Sequence, residues 1–376
     1  MISVLFTIAL LYALVLGWLA LGSSNLESTK HAKPERTRKF SILVPFRNEA
    51  EHLPLLLADL HDIVYPKDCI ELILIDDDST DGSLEQIDHF YAQHPEFHPA
   101  VLIKAKTHGR TGKKDALRLG IAEASHPWIV TTDADTIIPY GWLHLLNLRL
   151  EKGDVEMVCG PVGYVGGGSW LERFQQLDNL ALQTISRGLF GRNKPLLANG
   201  ANFCYSKALF LRLQGFEGNE QHPSGDDQFL LEKARTEDPA IIGYLNVADA
   251  TIYTYPVKKF KDLVSQRVRW AGKTRHQRSS LLRFLAVLVG LTNLVVLLIF
   301  VLLVFFPENW EVLLLVPALK WITDAWLIFN SASYFKTRPK LFDFVTACVF
   351  YPIFGTWVFL AGLGGGYRWK DRDLAH

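Results

Sequence analysis

Cysteine is scarce. The chain has four in 376 residues, Cys69, Cys159, Cys204 and Cys348, and no two form a CxxC pair. That spacing speaks against a zinc site and a disulfide framework, and favours reduced thiols in a cytosol-facing protein. An excess of charge is also missing, with 39 Lys and Arg against 39 Asp and Glu, so the total encodes no pull toward an acidic or basic partner. The G-x-x-x-x-G-K-[ST] spacing of a phosphate loop is absent, as are internal repeats and low-complexity segments. What the chain has instead is an uneven distribution: apolar residues gather at both ends and charges in the middle.

Residues 2–21 run without a charge for long enough to cross a bilayer core. Nothing basic precedes them, as it would in a cleaved signal peptide, and "KHAKPERTRK" at 30–39 follows. The positive-inside rule then predicts an uncleaved anchor, with the amino terminus outside and the next domain cytoplasmic. Further apolar runs lie at 284–306, 312–329 and 344–363, separated by acidic "PENWE" and basic "FKTRPK". Pro352 and Gly355 are placed to break the last run into a re-entrant element, so two or three carboxy-terminal spans are expected. A strict count sends the tail outside, whereas its basic residues argue for inside. Lys320 and Asp324 interrupt the third apolar run, and each costs roughly 2.5–3.5 kcal/mol at a helix centre. Their spacing of four puts them on one helical face, where they are expected to pair; lining a polar conduit is the alternative.

Between these ends, β-rich runs alternate with amphipathic ones. "FSILVPF", "IELILID", "AVLIKA" and "WIVTTD" read as strands, and "NEAEHLPLLLADLHDI", "DGSLEQIDHFYAQ" and "GKKDALRLGIAEA" as helices. Such alternation predicts an α/β fold with a mostly parallel sheet flanked by helices. Farther on, "VEMVCGPVGYV" is strand-like, "WLERFQQLDNLALQTISRGLF" reads as a long amphipathic helix, and "NGANFCYSKALFLRL" as a strand-to-helix turn. Ligands of open parallel sheets bind beyond the carboxyl ends of the strands, and that is where the first acidic clusters fall.

In "TTDAD", extended geometry sends the side chains of Asp133 and Asp135 to one side. Paired carboxylates with no basic neighbour in sequence suit Mg²⁺ or Mn²⁺, which take one or two carboxylates plus substrate phosphates. A polar strand end is the simpler explanation of a lone D-x-D. "IDDDSTDGS" supplies Asp76, Asp77 and Asp78, then Ser79 and Asp81, whose side chains suit helix capping; capping needs no three consecutive aspartates. One of the three is a candidate acceptor of hydrogen bonds from a nucleobase or ribose. "HGRTGKKDAL" brings Arg110, Lys113 and Lys114 among glycines that permit close approach of a phosphate, though lysines at a helix start are common on surfaces. "SGDDQFLL" puts Asp226 and Asp227 before a helix, as caps or as a general base. "QRVRWAGKTRHQR" at 266–278 is basic beside an apolar run, and no acid stands between Asp262 and Glu308. It fits a positive-inside, headgroup-binding segment or, through Arg beside Trp, a diphosphate-and-sugar site. Too short and too poor in aromatics, it does not make a nucleic-acid binder.

"VPFRNEA", "DDDSTDGS", "DAD", "GDD" and "QRVRW", in this order over about residues 41–270, resemble the membrane-bound family 2 glycosyltransferases. That group includes the cellulose, chitin, hyaluronan and poly-N-acetylglucosamine synthases and ceramide glucosyltransferase. The resemblance implies a GT-A-type, Rossmann-like fold and an inverting, metal-dependent hexosyl transfer from a nucleotide-sugar, UDP-linked, with Mg²⁺ or Mn²⁺. It implies that Pro45 and Arg47 border the nucleobase, with Asp77, or less so Asp76, as its acidic partner and Lys113 near the nucleotide. Asp135 would bind the metal, with Asp133 supporting it and the donor. Asp227 holds the base position of an E-D pair whose first member is here the shorter Asp226. Gln266, Arg269 and Trp270 fit Q-x-x-R-W, which caps the donor site in relatives.

The expected division is an anchor at 1–24, a cytoplasmic transferase domain at 25–255, the Q-x-x-R-W and membrane-interface segment at 256–283, spans at 284–366 and a tail at 367–376. The expected location is the inner or plasma membrane. Expected partners are the donor, a membrane, a glycan or lipid acceptor, and an accessory subunit. A polysaccharide-synthase-like activity is expected slightly ahead of single-sugar transfer to a ceramide- or polyprenyl-phosphate-type lipid. A catalytically silent scaffold would be expected to lack the D-x-D or the base carboxylate, and this chain keeps both.

Overall fold

The structure is a computed structural model that describes residues 2–95, 100–105, 112–218, 225–275, 279–364, 367–369 and 372–374. After helix α1 (Ile2–Gly22), strands β1 (Phe40–Phe46), β2 (Ile70–Asp76), β3 (Ala100–Lys104) and β4 (Trp128–Thr131) alternate with helices α2 (Leu53–His61), α3 (Ser83–Gln93) and α4 (Lys113–Glu123). Then come β5 (Thr136–Ile137), α5 (Trp142–Glu151), β6 (Met157–Cys159), β7 (Val162–Tyr164) and α6 (Trp170–Gly191). They are followed by β8 (Phe203–Ser206), α7 (Lys207–Arg212), α8 (Asp226–Glu237), β9 (Ile242–Tyr244) and β10 (Ile252–Thr254). Helices α9 (Phe260–Arg275), α10 (Ser280–Phe305), α11 (Trp310–Tyr334) and α12 (Leu341–Gly364) follow, and after them β11 (Tyr367–Trp369) pairs antiparallel with β12 (Arg372–Leu374).

The chain divides into two compact units. One comprises Leu26–Gly163 and Asn193–Tyr255; the other comprises Met1–Asn25, Tyr164–Arg192 and Pro256–His376.

In the first unit a seven-stranded sheet has the order β3-β2-β1-β4-β8-β6-β9. β1 runs parallel to β2 and β4, β2 to β3, and β6 to β9, while β8 opposes both of its neighbours. All seven residues of β1 are buried, which is why this strand reads as a continuous apolar run rather than an alternating one. Its residues Ile42 and Val44 share a core with Leu56 and Leu57 of α2, Leu72 of β2 and Trp142 of α5. The expected α/β fold with a mostly parallel, helix-flanked sheet is the one observed. Successive strands step one way from β1 to β3, and then the chain returns to the other side of β1 with β4. That reversal makes a switch point at the carboxyl ends of β1 and β4, the place where ligands bind in open sheets of this kind.

In the second unit, four helical segments are long and apolar enough to cross a membrane: Ser3–Asn25, Ser280–Phe305, Pro307–Tyr334 and Leu341–Gly362. Pro352 lies inside α12 without ending it, so the last apolar run forms one continuous helix, not a broken one. Helix α6 belongs to this unit, which differs from the contiguous domain expected at 25–255. The reason is its apolar face: Phe174, Leu177 and Leu180 pack with Leu263 of α9, Ile328 and Ala332 of α11 and Phe354 of α12. Thr184 of α6 also donates to the Leu327 carbonyl at 2.7 Å.

Two details set how closely these helices approach. A Cβ on Gly188 of α6 would lie 2.0 Å from the Leu19 carbonyl oxygen of α1, and one on Gly191 would lie 1.8 Å from that of Gly22. Only hydrogen fits at either position. In α11, Lys320 is almost fully buried and donates to Asp324 at 2.5 Å. Asp324 also accepts from the Tyr12 hydroxyl of α1 at 2.5 Å. The pair therefore closes on itself and ties α1 to α11, as a structural pair should.

Both details predict stability effects. Gly188→Ala overpacks a backbone contact and is expected to cost about 1–3 kcal/mol; Gly168→Ala, which meets nothing closer than 3.9 Å, serves as the control. Thermal melting of detergent-purified protein should separate the two, and equal melting temperatures would contradict the tight crossing. Asp324→Leu strands a buried ammonium, a loss of about 3–5 kcal/mol, whereas Lys320→Leu combined with Asp324→Leu should recover most of it. A double variant as unstable as the single one would refute the closed pair.

Candidate active site

At the ends of β1 and β2 two loops are laced together. Pro45 pairs in register with Ile75, and Phe46 with Asp76. The Asp77 amide donates to the Phe46 carbonyl at 2.9 Å, which carries the pairing one residue past the strands. Arg47 donates to the Asp77 carbonyl at 2.7 Å and lies 4.0 Å from the Asp78 carboxylate. Asn48 and Asp78 both have positive φ, 53° and 67°, a conformation that Asn and Asp tolerate better than most residues. Asn48 then accepts from the Thr80 amide at 2.8 Å.

The three consecutive aspartates separate into different tasks. Asp76 is buried and accepts from the Ser79 amide at 2.9 Å, a turn-forming bond. Asp77 is buried too, and its Oδ1 accepts from the Gly112 amide at 2.8 Å, which brings the start of α4 to the end of β2. Asp81 accepts from the amides of Ala50 and Ser83, the loop role its position predicted. Although Asp81 is partly desolvated, which raises a carboxyl pKa, its bonds to Ser83 and Ala50 prevail and lower it.

Beyond β4 lies a second cluster. The extended geometry expected for "TTDAD" ends at Thr131, and Asp133 and Asp135 lie in the turn that leads to β5. This corrects the picture of two carboxylates side by side on a strand. The turn is held by Thr136, whose hydroxyl donates to the Asp133 carbonyl at 2.7 Å. Ala134 is buried between two half-buried aspartates. Asp133 accepts from the Lys113 ammonium at 2.5 Å, and Asp226 stands 4.0 Å from that same nitrogen. Burial alone would lower the Lys113 pKa, but Asp133 and Asp226 outweigh it and raise it, so the ammonium stays charged.

Asp226 and Asp227 occupy the first turn of α8, with Gly225 at the cap position in place of an aspartate. Their charge is favourable there because it faces the positive end of the helix dipole. Asp227 Oδ2 accepts from the Gly200 amide at 2.9 Å and Oδ1 from the Gln228 amide at 2.7 Å. Gly200 is fixed in turn by Thr131, whose hydroxyl donates to its carbonyl at 2.7 Å. A Cβ on Gly200 would lie 3.3 Å from Lys113 Nζ and 3.6 Å from Asp226 Oδ2, so the absence of a side chain lets the cluster converge. Sequence reading passed over Gly200 and Thr131; the "NGAN" turn just before a strand was the available signal. Behind the cluster, burial pushes the Cys159 thiol well above its usual value and Asp227 adds to the shift. All four cysteines are buried and unpaired, as their spacing foretold.

Among the described residues no three of His, Cys, Asp or Glu converge as a ready-made metal cage. Two half-buried carboxylates on one turn still fit Mg²⁺ or Mn²⁺, because these ions keep waters and complete their shell with substrate phosphates. Asp135 and Asp133 are the residues that would hold such an ion.

Gln266, Arg269 and Trp270 lie on α9 and belong to the other unit. At about 100° per residue, Gln266 and Trp270 form one row, with Arg267 and Arg269 on its two flanks. Arg267 is buried, donates to Gln266 Oε1 at 2.7 Å, and stacks over the Trp270 ring at 4.2 Å. Sequence reading gave it no role. Arg110 falls outside the described residues.

Residues 41–217 match the family model described as glycosyl transferase family 2. Relatives include the probable glycosyltransferase YdaM of Bacillus subtilis (strain 168), 27% identical over 66% of this chain and 57% of its own length. Glycosyltransferase AglE of Haloferax volcanii is 26% identical over 63% of this chain and 73% of its own. The chain thus spans little more than half of the Bacillus relative. Among solved structures, the mannosyltransferase PcManGT from Pyrobaculum calidifontis, in complex with GDP-Man and Mn²⁺, superposes with a TM-score of 0.53. It covers 96% of this chain and 98% of its own at 17% identity, a likeness of fold. Within the matched stretch lie the two laced loops and both partners of the Lys113–Asp133 bond, whereas Asp226 and Asp227 follow its end.

The shared ammonium predicts a binding defect. Lys113→Met removes a charge that faces both carboxylates, and nucleotide affinity should fall by about tenfold, or about 1.4 kcal/mol. Calorimetric titration with UDP is the check, and unchanged affinity would remove Lys113 from the site.

Proposed function

We propose that this protein is a membrane-anchored, inverting glycosyltransferase that moves a sugar from a nucleotide-sugar, UDP-linked, to an acceptor hydroxyl. The observation that carries the proposal is the convergence of Lys113, Asp133, Asp226 and Asp227 at the switch point of the sheet, beside two loops laced by Arg47 and Asp77.

In this reading Pro45, Arg47 and Asp77 border the nucleobase. Asp76 has a supporting role, since it holds the turn below. Lys113 steers the diphosphate and Asp133 orients both Lys113 and the donor. A divalent cation on Asp135 and Asp133, when bound, supplies Lewis-acid charge at the phosphates. Asp227 is the base. Each of its oxygens is oriented by one backbone N–H and has a further lone pair for a hydroxyl proton. Asp226 is turned toward Lys113, which leaves Asp227 the better choice. The acceptor oxygen forms its bond to the anomeric carbon as the bond to the phosphate oxygen breaks, and its proton passes to Asp227. The electron pair leaves with the nucleoside diphosphate. One base and one displacement invert the configuration. Arg269, Gln266 and Trp270 serve the diphosphate and the acceptor.

Positive residues after α1 support an amino terminus outside and a cytoplasmic catalytic domain at the inner or plasma membrane. For the acceptor, one observation favours a lipid-borne hydroxyl over a growing polysaccharide. Between α6 and α12 the space is filled by aromatic rings: Trp170 stacks on Phe174 at 5.5 Å, and Phe350 and Phe354 meet Phe174 edge-on at 5.1 and 5.5 Å. Such a block supports a site that takes its acceptor at the membrane surface.

The test is release of nucleoside diphosphate by detergent-purified protein, across UDP- and GDP-sugars with Mg²⁺ or Mn²⁺ and lipid extract. Activity with one donor, abolished by chelator and reduced about 100-fold or more in Asp227→Asn, is the expected result. Release that persists in Asp227→Asn would overturn the base assignment. A ladder of products in place of one glycosylated lipid would overturn the acceptor.

A further inference from the structure

Inside the Q-x-x-R-W segment, a residue that the motif leaves unspecified holds two of the specified ones. Arg267 is 7% exposed, and its Nε donates to Asp178 Oδ2 of α6 at 2.8 Å, with Nη2 also 2.8 Å from that oxygen. Its Nη1 donates to Gln266 Oε1 at 2.7 Å, and its guanidinium lies 4.2 Å from the centre of the Trp270 ring. One planar cation thus touches two of the three motif side chains and anchors both to another helix. From these contacts we infer that Arg267 is a positioning residue, which sets the Gln266 amide and the Trp270 ring for the acceptor while Asp178 holds it in place.

The argument is geometric. Arg presents its donors in a rigid fork and stacks on aromatic faces, so it can fix the two neighbours at once, which lysine cannot. The bond to Gln266 Oε1 also decides which end of the amide is used. With the oxygen committed to Arg267, Gln266 offers its NH₂ as a donor, and the group it meets must be a hydrogen-bond acceptor, such as an oxygen of the acceptor substrate. On the other neighbour, the guanidinium covers one face of the indole, which restricts the ring's rotation and sets its plane.

Asp178 makes the arrangement hold under burial. Desolvation disfavours the Arg267 charge, but Asp178 and then Tyr164 more than restore it. Asp178 sits on α6, one turn after Phe174, whose ring lies 6.0 Å from that of Tyr351 of α12. In turn, the Lys320 ammonium lies 5.3 Å from the Tyr351 ring. Arg267 is therefore tied to the same apolar framework that the Lys320–Asp324 pair joins together, while Trp270 is left half-buried on α9.

This inference rests on the glycosyltransferase reading for its consequences and on α9 itself for its geometry, and the experiment separates the two. Arg267→Lys, Asp178→Asn and wild type are compared for donor affinity, for the acceptor KM and kcat of transfer, and for amide hydrogen exchange across α9. The expected result for Arg267→Lys is a rise of about 10- to 100-fold in acceptor KM, with donor affinity within twofold of wild type and faster exchange confined to 266–275. Asp178→Asn should show the same pattern more weakly, and Asp178→Glu should largely restore it. Equal acceptor KM in wild type and Arg267→Lys, or a parallel loss of donor affinity and melting temperature, would overturn the positioning role. Wild-type protein that releases no nucleoside diphosphate would instead overturn the function proposed above. The hydrogen exchange would still judge the clamp, and unchanged exchange across α9 would refute it.

Discussion

Everything at the candidate site depends on one half-buried ammonium and the carboxylates around it. Lys113 faces Asp133 at 2.5 Å and Asp226 at 4.0 Å, and without a cation between them these acids would repel each other in a partly desolvated pocket. Three separate stretches must be brought together for this: the start of α4, the turn after β4 and the start of α8. The sheet does so through its strand order. Placing β4 directly beside β1 aligns the ends of the strands from which the turn and the loops emerge, and the antiparallel β8 returns Gly200 to the same edge. A glycine at that point is what lets α8 approach, since its amide can reach Asp227 with no side chain in the way.

A similar economy governs the second unit. Three of its buried charges are paired, Lys320 with Asp324, Arg267 with Asp178 and Asp343 with Arg173, and its closest crossing relies on glycines. Burying a charge is costly unless it is paired and hydrogen-bonded, so each pair also fixes which helices can be neighbours. Tyr12 has no other way to reach Asp324 than by α1 lying against α11. The polar residues here are few, and they act as registration points among apolar helices that would otherwise slide.

Much of this was legible in the sequence where burial is uniform. β1 and β2 were recognisable because their central residues, Ile42–Phe46 and Leu72–Ile75, are an unbroken apolar run, and α3 and α4 because their apolar residues recur at helical spacing. α5 went unread, and so did β9 and β10, whose three residues are too few to tell from an apolar turn. The partner of α6 was not legible: an amphipathic helix has the same pattern whether it covers a sheet or packs on apolar helices. At the site, the identities of the aspartates were readable but not their geometry, because the turn after Thr131 depends on Thr136 and on Leu43 of the neighbouring strand. Asp76 and Asp77 look equivalent in "DDD", yet one closes its own turn and the other reaches Gly112. That difference comes from where α4 begins, which lies 35 residues away.

Arg267 shows why a motif is an incomplete description of a site. A motif records the side chains that meet the ligand, and an x marks a position that does not. Helical geometry nevertheless puts the residue after Gln266 within reach of Trp270 three positions on, so an arginine there can hold both. Its other half, Asp178, is 89 residues away on a helix with no obvious link to α9. The pairing could emerge only once both helices were seen to pack in one unit. The same physical rule applies in both units: a cation shared between acids, or between an acid and an aromatic ring, fixes the geometry of groups that the sequence keeps far apart.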